Sequence, residues 1–285
     1  MTAAAYALLA AALFAAALVT TQFGLRHMDG LAGAKISIPS AAALFWLLFP
    51  LYGLHGWNAS GAGVFMGIGL FFPVAVTLLA YEANRRLGPT IAGAIGSTAP
   101  LFAVIGAVLF LGETLGITQI AATLAIVAGS IVLVWRGNNA PEGGAWHSWV
   151  SWLAAALRAL AQVIAKAGLL LWPNPYAATV LCYSVSAVVI WIIGAGSRRP
   201  ESRHYTRRGV TWFAMTGAFN SLAILALFTA LERGAVNIVS PIAFSYPLFT
   251  LVLNSVILRQ ERLTARLIAG VALMVGGVAA LLLYA

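Results

Sequence analysis

The sequence predicts an all-α integral membrane protein of ten transmembrane helices, arranged as two five-helix repeats of inverted topology. Three observations carry this reading. Of 285 residues, 62% are hydrophobic and only 8% charged, with a mean hydropathy of +0.95, whereas a soluble domain carries about a quarter charged residues. Apolar runs long enough to cross about 30 Å of hydrocarbon recur along the whole chain, and nothing between them is long or polar enough for a separate soluble domain. The second half of the chain also repeats features of the first, with a shift of roughly 144 to 148 residues.

The spans follow in order, their edges set by charge, Gly or Pro. The first, 4–24, is rich in Ala and Leu; it has no basic segment before it and Arg26 after it, so it reads as a membrane helix and not as a cleaved signal peptide. The second, 34–54, begins on one side or the other of Lys35 and Pro39. The third, 61–83, carries Gly61, Gly63, Gly67 and Gly69 as a small-residue face with a GxxxG pair, and holds Glu82 near its inner end, with Arg85 and Arg86 three and four residues on as local partners. The fourth, 89–111, holds Ser97 and Thr98 just before Pro100, and the fifth is 116–135.

In the second half the spans are 149–170, 175–195, 209–231, 235–257 and 265–284. The seventh contains the only cysteine, Cys182, which excludes an internal disulfide or a cysteine-based metal cluster. The ninth repeats the pattern of the fourth, with Ser245 and Tyr246 before Pro247. Each proline removes a backbone donor from a helix interior, which predicts kinks that free carbonyls at mid-depth. These kinks serve packing or line a cavity. Gly129 in the fifth span, and Gly270, Gly276 and Gly277 in the tenth, thin the last helix of each half. Most of the nine tryptophans mark span ends, as in an interfacial belt.

A net charge of +9 and a pI near 10.3 would suit nucleic acid only if the cations formed an exposed face. They punctuate apolar runs instead, so nucleic acid is excluded as a partner and the charge reads topology. Thirteen of the sixteen Lys and Arg fall in connections after the odd-numbered spans, and only Arg233 in the others. The positive-inside rule then places both termini outside the cytoplasm. The remaining two, Arg158 and Lys166, lie within the sixth span.

Across the repeat, Gly88, Pro100, Glu113 and Gly129 answer to Gly234, Pro247, Glu261 and Gly277, and Gln22 answers to Lys166. The repeats extend over 1–138 and 147–285. Five spans per half is an odd number, so the second copy enters upside down, the architecture of many secondary transporters with a site at the midplane.

At these residues the sequence resembles the EamA-type families of the drug/metabolite transporter superfamily. Pro100–Gly129, with Leu111-Gly112-Glu113, looks like their half-ending signature; Pro247–Gly277 does too, although Gln260 stands in the place of Gly112 and Arg259 replaces an apolar residue. The resemblance implies secondary transport without ATP, most often export, of amino acids, related metabolites or drugs, in the inner (plasma) membrane. It also implies that Glu113 and Glu261 belong to tight interfacial turns and do not bind substrate, and that the fifth and tenth helices lie away from the central cavity. No phosphate-binding loop motif is present and no cofactor is implied.

Arg158 is the sharpest local feature, since an Arg at the centre of a span costs at least about 2.5 kcal/mol against lipid. Gln162 and Lys166 follow at i+4 and i+8 and share its helix face. This stripe reads as a hydrated cavity wall that attracts a carboxylate or phosphate, with capping of helix carbonyls by Arg158 and snorkelling by Lys166 as the structural alternative. Asp29 and the six Glu residues all fall at span ends or in loops, so Arg158 has no fixed counter-ion by sequence. Weaker cavity candidates are Gln22, Asn220, Ser97, Thr98, Ser245, Tyr246 and Trp212, each with a packing or helix-bonding alternative. The four His also fall in loops, which argues against an enzyme and a metal site. The leading expectation is alternating-access transport of small carboxylate-bearing or zwitterionic metabolites such as amino acids. Efflux of lipophilic cations and flipping of a phosphate-bearing lipid are the alternatives. GxxxG alone sets no oligomeric state.

Overall fold

The computed structural model describes residues 1–134, 149–196, 205–258 and 265–283. Among them twelve α-helices follow one another: α1 (Ala3–Leu25), α2 (Gly30–Tyr52), α3 (Ala59–Gly69), α4 (Val74–Gly96), α5 (Ala99–Leu111), α6 (Ile117–Val134), α7 (Trp149–Leu171), α8 (Pro175–Gly196), α9 (Arg207–Arg233), α10 (Val236–Ala243), α11 (Tyr246–Leu258) and α12 (Ala265–Leu282). Eight helical stretches are long and apolar enough to cross a membrane, and Ala99–Leu111 and Ile117–Leu133 are shorter apolar helices.

The expected spans and the helices differ in two instructive places. The second helix starts at Gly30, before Lys35 and Pro39, because Asp29 caps it by accepting the Ala32 N–H at 2.7 Å. Lys35 thus sits inside α2, donating to the Gly194 carbonyl at 3.4 Å. The connection expected at 84–88 is helical, and α4 continues through it to Gly96, which shortens the fourth span to α5. Charge at Arg85 and Arg86 therefore does not end the helix. Arg86 folds back on Glu82, Nε to Oε1 2.6 Å, the i,i+4 pair that the spacing predicts. Glu261, Arg259 and Gln260 lie outside the described residues.

Three of the helix breaks have a local cause. Pro73 has no N–H for the Gly69 carbonyl, and the hydroxyl of Ser186 on α8 donates to that oxygen instead, at 2.6 Å. One turn away the Cys182 thiol donates to the Phe65 carbonyl. The pairs Ser97–Thr98 and Phe244–Ser245 separate α4 from α5 and α10 from α11, each shortly before a proline. Pro100 lies in the first turn of α5, and Pro247 follows the first residue of α11. Both prolines therefore start new helices, a favourable position for a residue without a donor, and do not kink helix interiors as expected.

The helices pack in pairs that an exchange of halves reproduces. α1 lies on α9 as α7 lies on α3 and α4, while α2 pairs with α8 and α6 with α12. Thr216 on α9 donates to Thr20 on α1 at 3.0 Å. Glycines set the α6–α12 distance: a Cβ on Gly129 would meet the Gly270 carbonyl at 2.7 Å, and one on Gly277 the Ala122 carbonyl at 2.7 Å. The expected small-residue face of α3 divides in two. Gly61 and Gly69 abut Trp172 and α8, whereas a Cβ on either of the GxxxG pair Gly63 and Gly67 would meet nothing within 4 Å among the described residues. Trp172 is likewise buried and donates its indole N–H to the His55 carbonyl at 3.1 Å, unlike a belt residue.

Candidate functional site

The candidate site is built around α7. Its face carries Arg158, Gln162 and Lys166 at successive turns, and the rest of the helix is largely Ala, Leu and Val. Arg158 lies near the middle of α7 and is half-buried, with its guanidinium carbon 5.8 Å from the centre of the Phe244 ring, within cation–π range. Among the described residues the guanidinium has no hydrogen bond and no ion pair. Five N–H donors and a positive charge are therefore held against a ring face without an anion.

The two mid-helix breaks come together beside it. Ala99 at the start of α5, Ala155 one turn before Arg158, and Phe244 at the α10–α11 break form one buried cluster, against which Tyr246 packs. Tyr246 lies 6.1 Å from Phe244 and meets Phe14 of α1 edge-on at 6.4 Å, closing the group with aromatic rings. The prolines matter here through what they omit: Pro100 cannot donate to Gly96, nor Pro247 to Ala243. The hydroxyls at the breaks serve their own helices: Ser97 donates to Gly93 at 2.9 Å, Thr98 to Ile95 at 2.7 Å and Ser245 to Ile242 at 2.7 Å.

Other candidate residues sit elsewhere. Lys166 points its ammonium at the last carbonyls of α9, 2.6 Å from Leu231 O and 3.0 Å from Gly234 O, a C-terminal cap with favourable charge. On the other side of the same link, the Glu113 carboxylate accepts the N–H groups of Val236 and Asn237 at 2.7 and 2.9 Å, capping α10. Asn220 donates to the Tyr183 hydroxyl at 3.1 Å, joining α9 to α8. Trp212 stacks on Phe23 with ring centres 4.9 Å apart, and Arg26 lies over the same Phe23. Trp212 is nineteen residues from Leu231 along α9, about 28 Å at helical rise, so it marks the far end of that helix. Gln22 is exposed on α1, next to Phe23.

Asn237 and Ser240 on α10 escape the sequence reading although both are buried. Their signal was present: two polar residues three apart just before Pro241. An apolar crevice of about 450 Å³ between α1, α11 and α12 reaches Ser245, with Leu8, Val252 and Val275 on its walls. Among the described residues no three His, Cys, Asp or Glu are grouped to hold a metal.

The EamA-like transporter family matches residues 1–135 and again 146–283. No curated protein matches the chain. A solved structure described only as "Crystal structure of protein" superposes with a TM-score of 0.80 at 17% identity, covering 99% of this chain and 97% of that one; it is alike in fold alone.

Proposed function

We propose, for this chain, which belongs to the EamA-like transporter family, that it moves small carboxylate-bearing or zwitterionic metabolites, amino acids first, by alternating access of its two repeats. Arg158 holds the anionic group. The observation that carries this is the guanidinium lying against Phe244 at the junction of two broken helices, with no anion among the described residues to neutralise it. Such a charge is costly inside a membrane, and a bound carboxylate offsets the cost through paired, charge-assisted hydrogen bonds. The freed carbonyls next to the breaks and the aromatic group of Phe14, Phe244 and Tyr246 complete a site that can follow the ligand as helices rearrange. The charge asymmetry of the loops supports termini outside the cytoplasm, and the family supports export or exchange.

The test is uptake by proteoliposomes. Arg158→Ala abolishes uptake of a substrate that the wild type moves, and normal uptake by the variant would overturn the assignment. The crevice reaching Ser245 favours a second reading, a phosphate-bearing lipid whose tail lies between α11 and α12. Stabilisation of the purified protein by a polyprenyl phosphate, and not by amino acids, would select it.

A further inference from the structure

The contact between α7 and α10 has a fixed register. Lys166 meets Gly234 just before α10 starts, and Arg158 meets Phe244 where α10 ends, so the two helices run in opposite directions. Gln162, halfway between Arg158 and Lys166, is then level with the segment from Asn237 to Ser240, about 6 Å along α7 from Arg158. Asn237, Ser240 and Phe244 fall on one face of α10 by helical spacing. Gln162 is 2% exposed, Asn237 3% and Ser240 0%. Among the described residues the Gln162 Oε1, Asn237 Oδ1 and Ser240 Oγ atoms are all without a hydrogen-bond partner.

Both amide nitrogens face backbone carbonyls. Asn237 Nδ2 donates to the Thr114 carbonyl at 2.9 Å, and Gln162 Nε2 points to the Arg158 carbonyl at 3.5 Å, which leaves both oxygens as acceptors. Pro241 has no N–H to give the Asn237 carbonyl at this level. Three buried side-chain oxygens without a partner at one level of the α7–α10 contact are unusual, because each forfeits the hydrogen bond it had in water. The two amide oxygens can only accept and the Ser240 hydroxyl oxygen can accept as well, and a primary ammonium brings three donors. The charge of Lys166 is engaged with Leu231 and Gly234, and Glu113 on the first turn of α10 adds negative potential next to Asn237.

We infer that Gln162, Asn237 and Ser240 form a subsite for the ammonium group of an α-amino acid whose carboxylate lies on Arg158. The inference rests on the Arg158 reading and narrows it: simple carboxylates of the same shape are poor ligands.

The experiment uses the purified full chain and reads the shift of its unfolding temperature with the amino acid that stabilises it most among the common twenty, with the matching desamino acid, and with the matching decarboxylated amine. In the wild type the desamino acid binds at least about tenfold more weakly than the amino acid. In Gln162→Leu and Ser240→Ala this ratio falls below about threefold. Gln162→Leu is as stable as the wild type or more so without ligand, because the change removes an unpaired buried oxygen. Equal binding of amino acid and desamino acid, lost in Arg158→Ala, would overturn the subsite and leave the transport reading standing, with water satisfying the three atoms. A ratio unchanged in both variants would place the ammonium elsewhere. Absence of any Arg158-dependent binding by amino acids or carboxylates would overturn both.

Discussion

Lys166 and Glu113 grip opposite sides of one short link: the lysine ammonium holds the carbonyls of Leu231 and Gly234, and the glutamate carboxylate holds the N–H groups of Val236 and Asn237. A cation therefore sits at the C-terminus of α9 and an anion at the N-terminus of α10, each where the helix dipole favours it. Glu113 belongs to the first half of the sequence and both helices to the second, so the link also ties the halves together.

Removing the anion exposes two amide donors at once. Glu113→Ala should cost about 2–3 kcal/mol and lower the unfolding temperature in detergent by several degrees, with Glu113→Gln in between. An unfolding temperature unchanged in Glu113→Ala would show that the cap carries no stability.

Lys166→Met should also lower the unfolding temperature, by an amount worth about 1–3 kcal/mol, while leaving substrate affinity within about threefold, because the ammonium is held by backbone and not by ligand. A double variant with Glu113→Ala should be less destabilised than the two single changes added together, since both act on one link. Loss of binding with no loss of stability would return Lys166 to the cavity wall.

Ser186→Ala leaves the Gly69 carbonyl with no donor, as Pro73 has none to give. The expected cost is about 1–3 kcal/mol, measured by thermal unfolding. Ser184→Ala, one helix face away and bonded to the exposed Trp46 indole, should change stability by less than about 0.5 kcal/mol. Similar effects of the two would dismiss the repair of the α3 break by α8.

Two glycines of similar sequence setting should respond in opposite ways. Gly129→Ala pushes a Cβ into Met274 and the Gly270 carbonyl and should cost about 1–3 kcal/mol. Gly276→Ala meets nothing within 4 Å among the described residues and should be neutral or stabilising by about 0.4–1 kcal/mol through a stiffer unfolded chain. Unfolding temperatures of the two variants, measured together, decide it.

Much of this architecture is legible in the chain because hydropathy reports contact with the membrane interior, and that contact selects residues locally. The Gly, Pro and Glu punctuation also shows the repeat. Helix ends are harder: Arg85 and Arg86 signal proximity to water without ending α4, and Asp29 starts α2 before the apolar run begins. Within the candidate site, Arg158 stands out because a lipid-facing position at mid-span is costly for it. The unexpected roles depend on partners far away in sequence. Lys166 and Gln22 occupy matching places in the two repeats, yet only Lys166 reaches a helix end to cap. Asn237 and Ser240 read as ordinary membrane-helix polarity until α7 is laid beside them.

The Ser186 hydroxyl that completes the break at Pro73 is encoded 113 residues after it. During synthesis at roughly 5–20 residues per second, the Gly69 carbonyl waits on the order of ten seconds for its donor to be made. The first half of the chain thus emerges with an unfinished helix, and the second half completes it on arrival. Order of synthesis is built into this fold: the earlier repeat reaches its final hydrogen bonding only in the company of the later one.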